Sequence, residues 1–486
     1  MTTVGILGAG LSGIAMGLQL RRAGFDDFVI YEEQPDVGGT WYRNTYPGLH
    51  CDVPSHLYCY TAEPNPDWSM VFAPRAEIQA YIRSVAEKWD LVSHIRFATR
   101  VLSARFDESE GLWWLALAGG GSEVPHRVLV SATGGLTAPN LPKVPGLDAF
   151  AGPSWHSAAW RHDVDLRGQR VAVVGSAASA VQVVPEVAKV AAEVTVFSRT
   201  PNWVFPRNNR YYTDEERAAL RHAEEMQRLR RGQYKDSMWW WLAFRRHEAT
   251  LKAMRDRCLT HMRASINDPS VVEALTPSYP PGCNRLLLSD DYYHALAQPH
   301  VRLVPHGVTA LSETAVTAAD GSATDVDVVI FCTGYRLGGR ADGAAALDVY
   351  GRGGETLRNR ISRRTMAYRG VAVPGFPNWF TVCGINGTVA YGSLILSAEV
   401  ETDYITRWVQ RMAGGGIKSV EAREDATEAY NEAIQRELSQ MSWTGACSNF
   451  YRDAQGRVVA FHPGTVGRMR RELADLHEDD FIVERL

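Results

Sequence analysis

Short, wholly apolar runs that meet small residues punctuate this chain, and they recur in a fixed order. The run VGIL at 4–7 leads into Gly8-Ala9-Gly10-Leu11-Ser12-Gly13, then a stretch with an apolar stripe that closes at Ala23-Gly24, then FVIYE at 28–32. A buried strand reads as a continuous apolar run, and an amphipathic helix repeats its apolar positions every three to four residues. The order is therefore strand, turn, helix, strand. It returns at RVAVVGSAASA (170–180), followed by an alanine- and valine-rich helical stretch and VTVF (194–197). Two later runs ending in small residues, VLVSATG (128–134) and VVIFCTG (328–334), read as strands that return the chain toward a ligand. The expected fold is α/β: two Rossmann-like dinucleotide-binding domains, each with a parallel sheet.

Between these units the pattern changes. PNLPKVPG (139–146) reads as a proline-rich connector. From Thr213 to about Ser265 the period is helical, and Thr213 with Glu216 can form a capping box at its start. This helical insertion carries Trp239, Trp240 and Trp241, which either bury themselves in a core or cap a substrate entrance. The glycine-rich segment 413–416 reads as a loop between two helices.

With 486 residues the chain is too long for one hydrophobic core, so two or three domains are expected. A formal net charge of -4 gives no reason to expect nucleic acid or an anionic membrane as partner. The apolar run Met238–Phe244 is far short of the roughly 20 residues a membrane-spanning helix needs. Seven cysteines lie scattered, with no CxxC pair and no metal-ligand spacing. They fit a reducing cytoplasm better than a disulfide scaffold, and they argue against a disulfide reductase.

The first turn fits GxGxxG. Gly8 permits the tight bend, Gly10 lets backbone amides approach a pyrophosphate, and Gly13 lets helix and strand pack closely. Glu32 follows about 20 residues on, where a carboxylate can accept from both ribose hydroxyls. The second turn keeps only Gly175, and Ala177 puts a methyl where a pyrophosphate would pass. After its second strand stands Arg199, with no acid at the ribose position. A guanidinium can hold a 2′-phosphate that a carboxylate would repel, so this site favours NADPH over NADH.

More specific are GGTWYRNTYPGLHCD (38–52) and FAGPSWHSAAW (150–160). On these segments the chain resembles the class B flavoprotein monooxygenases, and within them the type I Baeyer–Villiger monooxygenases. Gly38, Gly39, Trp41, Tyr46, Pro47, Gly48 and Asp52 match the first family pattern; Phe150, Gly152, His156 and Trp160 match the second, where Arg161 replaces the usual Pro or Asp. The resemblance continues through SRTPNW, YPPGCNRLLLSDDYY, the late CTG and the tail WTGACSNFYRDAQG. It implies FAD and NADPH as cofactors, with O2 and a small organic molecule as substrates. A peroxyflavin would insert one oxygen atom into a ketone to give an ester or lactone.

By the same resemblance Arg285 is the catalytic arginine and Asp52 the carboxylate that positions it. Gly152, His156 and Trp160 couple the domains. Cofactor contacts fall to Gly8, Ala9, Gly10, Ser12, Gly13, Glu32, Gly39, Thr40, Trp41, Tyr46, Asp52, Tyr58, Val101, Ala132, Thr133, Gly134, Gly175, Ser176, Ala178, Ser179, Gln182, Arg199, Thr200 and Asn386. Three departures stand out. Asn284 replaces the Lys or Arg common before the catalytic arginine, His50 replaces an Arg beside Asp52, and GINGT (384–388) only partly follows a GPN pattern. The implied layout is an FAD domain from residues 1–140 and 335–486, with an NADPH domain at 141–334 carrying the helical insert at about 213–265. Two other functions stay open: N- or S-oxygenation on the same scaffold, and a flavoprotein that binds nucleotide without catalysis. Trp160 and Arg285 favour ketone oxidation over the former.

Overall fold

The computed structural model describes residues 3–336, 347–447 and 449–486. Ser448 of the tail motif, and residues 337–346 of the second FAD segment, lie outside the described residues.

Two five-stranded parallel sheets organise the molecule. In the first, the order is Trp379–Thr381, Val128–Ser131, Val4–Leu7, Phe28–Tyr31 and Ile95–Arg96. In the second it is Val301–Val304, Glu193–Phe197, Arg170–Val174, Val328–Phe331 and Ser154–His156. Their central strands, Val4–Leu7 in the first and Arg170–Val174 beyond its leading arginine in the second, are apolar because both faces are covered. Val4, Ile6, Ile30, Val128 and Val130 pack into a core with the helices Leu11–Arg22, Arg75–Lys88 and Leu394–Ala413. Leu7, Tyr31 and Leu129 face the other way, onto Phe106, Trp113 and Leu115 of an antiparallel layer, Val101–Asp107 with Leu112–Leu117 and Val124–His126.

The insertion forms the helices Asp214–Leu220, Ala223–Phe244 and Glu248–Arg263. The capping box is present: Thr213 Oγ1 accepts from Glu216 N at 3.2 Å, and Glu216 Oε2 accepts from Thr213 N at 2.9 Å. The three tryptophans are half-buried, so neither reading of them takes all: Trp239 and Trp240 pack on Phe205, and Trp240 also lines the central cleft.

Two expectations are corrected. The glycine segment 413–416 joins the helix Leu394–Ala413 to a strand, Ile417–Ala422, not to another helix. That strand forms because the chain's last segment, Phe481–Arg485, returns to pair with it antiparallel, a non-local event invisible in a short window. The cysteines are not all free. Cys283 and Cys447, 164 positions apart, are joined by a disulfide, while Cys51, Cys59, Cys258, Cys332 and Cys383 form none. The reducing-compartment argument fails for that pair, since only the fold brings the two thiols together. Among the described residues no helix is long and apolar enough to cross a membrane.

Candidate active site

A cleft of about 2230 Å³ runs between the carboxyl ends of the two sheets, the usual place for ligands in open α/β folds. Single small-molecule pockets reach about 1,000 Å³, so there is room for two dinucleotides and a substrate.

On the first-sheet side, Gly8 has φ +101°, and a Cβ there would sit 2.9 Å from the Ala132 carbonyl oxygen. A Cβ at Gly13 would lie 1.8 Å from the Gly8 oxygen, so only glycine lets helix and strand meet. Gly10 and Gly39 back onto each other, with a Cβ on Gly39 falling 3.0 Å from Gly10 Cα. The helix Leu11–Arg22 has no side-chain cap, which leaves its first amides for a phosphate. Glu32 is buried; its Oε2 accepts from Ala9 N at 2.7 Å and Oε1 from Gln34 N at 2.8 Å. Burial pushes its carboxyl above the ordinary range, and these two donors oppose that. Gly8, Gly10, Ser12, Glu32, Gly39, Thr40, Trp41, Tyr58, Val101, Ala132, Thr133 and Gly134 all line the cleft. Ala9 and Gly13 shape the turn from behind. A narrow glycine-walled groove with uncapped amides and an acid at its far side fits an FAD pyrophosphate and ribose.

The second-sheet side is built alike. Gly175 has φ +123°, and a Cβ there would meet the Cys332 oxygen at 2.4 Å. Ser176 donates to Thr200 O at 2.9 Å, and Asn202 donates to Ser176 O at 3.2 Å, which ties the turn to the segment after the second strand. Ala177 and Ala178 are exposed; with Gly175, Ser176, Ser179, Arg199 and Thr200 they line the cleft. Arg199 has no ion-pair partner among the described residues, which leaves its guanidinium open to an anionic ligand. These groups fit NADPH.

Between the two sides lies a polar bridge. Tyr46 donates to Gln182 Oε1 at 3.3 Å, and Gln182 donates to His50 O at 3.0 Å. Trp41 Nε1 donates to the Tyr58 hydroxyl at 3.1 Å. At the centre Arg285 Nη2 is ion-paired with Asp52 Oδ2. The Arg285 side chain is half exposed and lines the cleft. Asp52 holds the guanidinium's pKa up, so it stays a cation at any working pH. Trp240, Phe244, Trp443, Tyr451 and Phe461 line the same cleft. Their rings interlock: Phe244–Trp443 at 5.2 Å, Trp443–Phe461 at 5.0 Å and Tyr451–Phe461 at 4.8 Å.

The second family segment lies elsewhere. Gly152, His156 and Trp160 do not line the cleft; they sit at the outer edge of the second sheet. A Cβ at Gly152 would fall 2.2 Å from the Asp327 oxygen, and Trp160 meets Trp155 edge-on at 5.6 Å. His156 Nδ1 accepts from Ala158 N, and burial lowers the ring's pKa, so it is neutral. Its ring meets Tyr335 edge-on at 5.7 Å, and Tyr335 donates to Asn44 Oδ1 at 2.7 Å. Tyr335 and Asn44 thus connect this edge to the first-sheet side of the cleft, which both line. Sequence reasoning missed both, although Tyr335 directly follows the CTG turn.

Asn386 stands apart from the other expected cofactor contacts. It does not line the cleft; its amide donates to Val458 O at 2.9 Å and Phe461 O at 2.7 Å, clamping the tail. The neighbours that do face the cleft are Cys383 and Thr388. Arg207 was also missed. It lines the cleft with Nε and Nη1 buried and unpartnered, and burial lowers its pKa.

A model of the flavin-binding monooxygenase-like family matches residues 1–448. A protein of Streptomyces coelicolor named a Baeyer-Villiger monooxygenase is 38% identical over 477 residues, covering 96% of this chain and 90% of that one. One of the same name from Pseudomonas aeruginosa is 36% identical over 470 residues, covering 96% and 88%. Among solved structures, an oxidized steroid monooxygenase bound to NADP superposes with a TM-score of 0.88 at 28% identity over 99% of both chains. A cyclohexanone monooxygenase from Rhodococcus sp. Phi1 bound to NADP+ gives 0.87 at 27% identity over 100% of both.

Proposed function

The chain belongs to the flavin-binding monooxygenase-like family, and from that premise we propose that it is an FAD- and NADPH-dependent Baeyer–Villiger monooxygenase. It converts a ketone to an ester or lactone with one atom of O2. The observation that carries this reading is the Arg285–Asp52 pair, set in an aromatic-walled cleft between two dinucleotide-binding folds. When bound, the cofactors supply electrons and activated oxygen, chemistry no side chain provides alone.

The side chains do the rest. Glu32 and the Gly8–Gly13 turn hold the first dinucleotide. Arg199, Thr200 and the Gly175 turn hold the second, with Gln182 and Tyr46 joining the two sides. Oxygen insertion passes through a state with negative charge beside the ketone, where a fixed cation in a dry cleft contributes most. Arg285 is that cation, and Asp52 keeps it in place. Trp240, Phe244, Trp443, Tyr451 and Phe461 exclude water and favour an apolar substrate. His156 acts through Tyr335 and Asn44 on the relation between the two halves. The same reading assigns residues 1–140 and 335–486 to an FAD domain and 141–334 to an NADPH domain; the first sheet supports it, since its edge strand Trp379–Thr381 comes from the second of those segments.

The test is product analysis under isotopic dioxygen with a panel of ketones, amines and sulfides. One labelled oxygen in an ester or lactone, formed only with NADPH and FAD, is the expected result. Labelled N- or S-oxides without any ester would replace the reading with heteroatom oxygenation. NADPH consumption without any labelled organic product would remove the monooxygenase assignment.

A further inference from the structure

The segment that carries Arg285 is a short arch. Downstream, Leu287–Leu288 pairs with Val204–Phe205, which anchors one foot. Upstream, the other foot is Cys283, bonded to Cys447 of the tail. Hydrogen bonds gather around that bond: Asn449 donates to Cys283 O at 3.0 Å and to Trp443 O at 2.9 Å, and Ser442 donates to Gly282 O at 3.1 Å. Asn449, Phe450 and Tyr451, shortly after Cys447, line the cleft. The bond is thus the covalent centre of a seam between the arginine arch and the aromatic wall.

The sulfurs are well protected, Cys283 being 0% and Cys447 5% exposed. Cys258 shares their apolar cluster, but burial pushes its thiol up to about 12, so it carries almost no thiolate with which to exchange. A disulfide that is buried and has no reactive neighbour serves to hold geometry. Hydrogen bonds alone leave the arch free to shift, and displacement of about 1 Å at a reacting centre can cost a hundredfold in rate.

We infer that the Cys283–Cys447 bond is a positioning clamp for Arg285. It holds the guanidinium against Asp52 and the wall formed by Trp443 and Tyr451, so that activated oxygen reaches the substrate and does not leave as hydrogen peroxide. The inference rests on the monooxygenase reading for its catalytic consequence, but not for the existence of the bond or its hold on the arch.

Two measurements need no substrate. Protein unfolded in the presence of an alkylating agent should show five thiols, and reduction should raise the count to all seven cysteines, with peptide mapping finding Cys283 joined to Cys447. Seven before reduction would overturn the proposal. Amide hydrogen exchange across 282–288 should quicken on the order of tenfold when the bond is reduced, for a shift of the size that matters to catalysis; unchanged exchange would also overturn it.

The third measurement separates positioning from simple stabilisation. Cys283→Ser and Cys447→Ser should retain FAD content and the rate of flavin reduction by NADPH. The ratio of peroxide to oxygenated product should rise roughly tenfold. Should either variant fail to fold, reduced and alkylated wild-type holoenzyme takes its place, and reoxidation of unalkylated reduced enzyme should restore coupling. Wild-type coupling in the bond-free protein would sink the clamp. If the wild type oxidises no ketone at all while the thiol count and exchange come out as expected, the function reading falls and the hold on the arch stands.

Discussion

Arg285 and Arg199 are both cationic, exposed to the same cleft, and separated by what sits beside them. Arg285 is ion-paired with Asp52, which fixes its direction and keeps it a cation; among the described residues Arg199 has no ion-pair partner and is open to one from a ligand. Arg285→Ala should therefore bind FAD and consume NADPH but form no ester, as read by comparing NADPH loss with product. Arg199→Ala should raise the Michaelis constant for NADPH far more than for NADH. A charge-assisted hydrogen bond of about 1.5–3 kcal/mol corresponds to roughly ten- to a hundredfold. An equal rise for both cofactors would place the 2′-phosphate elsewhere. Placement on the cleft was legible in the sequence where spacing and resemblance agreed, as at Glu32, Asp52 and Arg285. It was not legible at Asn386, because a side chain turned toward the tail looks the same in sequence as one turned toward a cofactor. Nor was it at Arg207, since burial without a partner is a property of the folded cleft.

Helix and strand can approach in the first unit only because Gly13 has no Cβ, whereas the second unit accepts Ala180 at the matching place. Gly13→Ala should push the helix Leu11–Arg22 off its strand, at about 1–3 kcal/mol of overpacking, and be isolated with little flavin absorbance. A second element-level prediction concerns the helix Val466–Glu472. Burial alone would push the Glu472 carboxyl up, but hydrogen bonds and charge from His462 and Arg468 hold it at about 2. A carboxylate held below its ordinary value stabilises the fold above that value, and the stabilisation is lost as pH falls toward about 2. Glu472→Gln should accordingly lose less stability than wild type between pH 4.5 and 2, measured by denaturant midpoints. The strands at 4–7, 128–131 and 328–331 were legible because a strand buried on both faces needs an unbroken apolar run. The strand Ile417–Ala422 was not, because its partner is the last segment of the chain.

At the scale of the molecule, the two halves are joined by apolar packing, as at Tyr46, and by polar contacts, among them Tyr335 with Asn44 and Gln182 with His50. Tyr335→Phe would remove the hydrogen bond to Asn44, at about 1 kcal/mol. It should slow flavin reduction by NADPH in rapid mixing while leaving NADP+ affinity near wild type. A matching loss of affinity would mean Tyr335 binds the cofactor and does not couple the halves. That two nucleotide folds exist was plain from the repeated strand-turn-helix order. How they touch was not, since Tyr335, Asn44 and the cysteine pair meet only after both halves have folded.

The edge strand Trp379–Thr381 closes the first sheet beside Val128–Ser131, about 250 positions earlier in the chain. At synthesis rates of roughly 5–20 residues per second, Ser131 leaves the ribosome some tens of seconds before Thr381. The nascent molecule thus waits with an apolar sheet edge uncovered while the whole intervening half is made. Flavin loading should be an event of the finished chain, and the interval before it a window in which chaperones have something to hold.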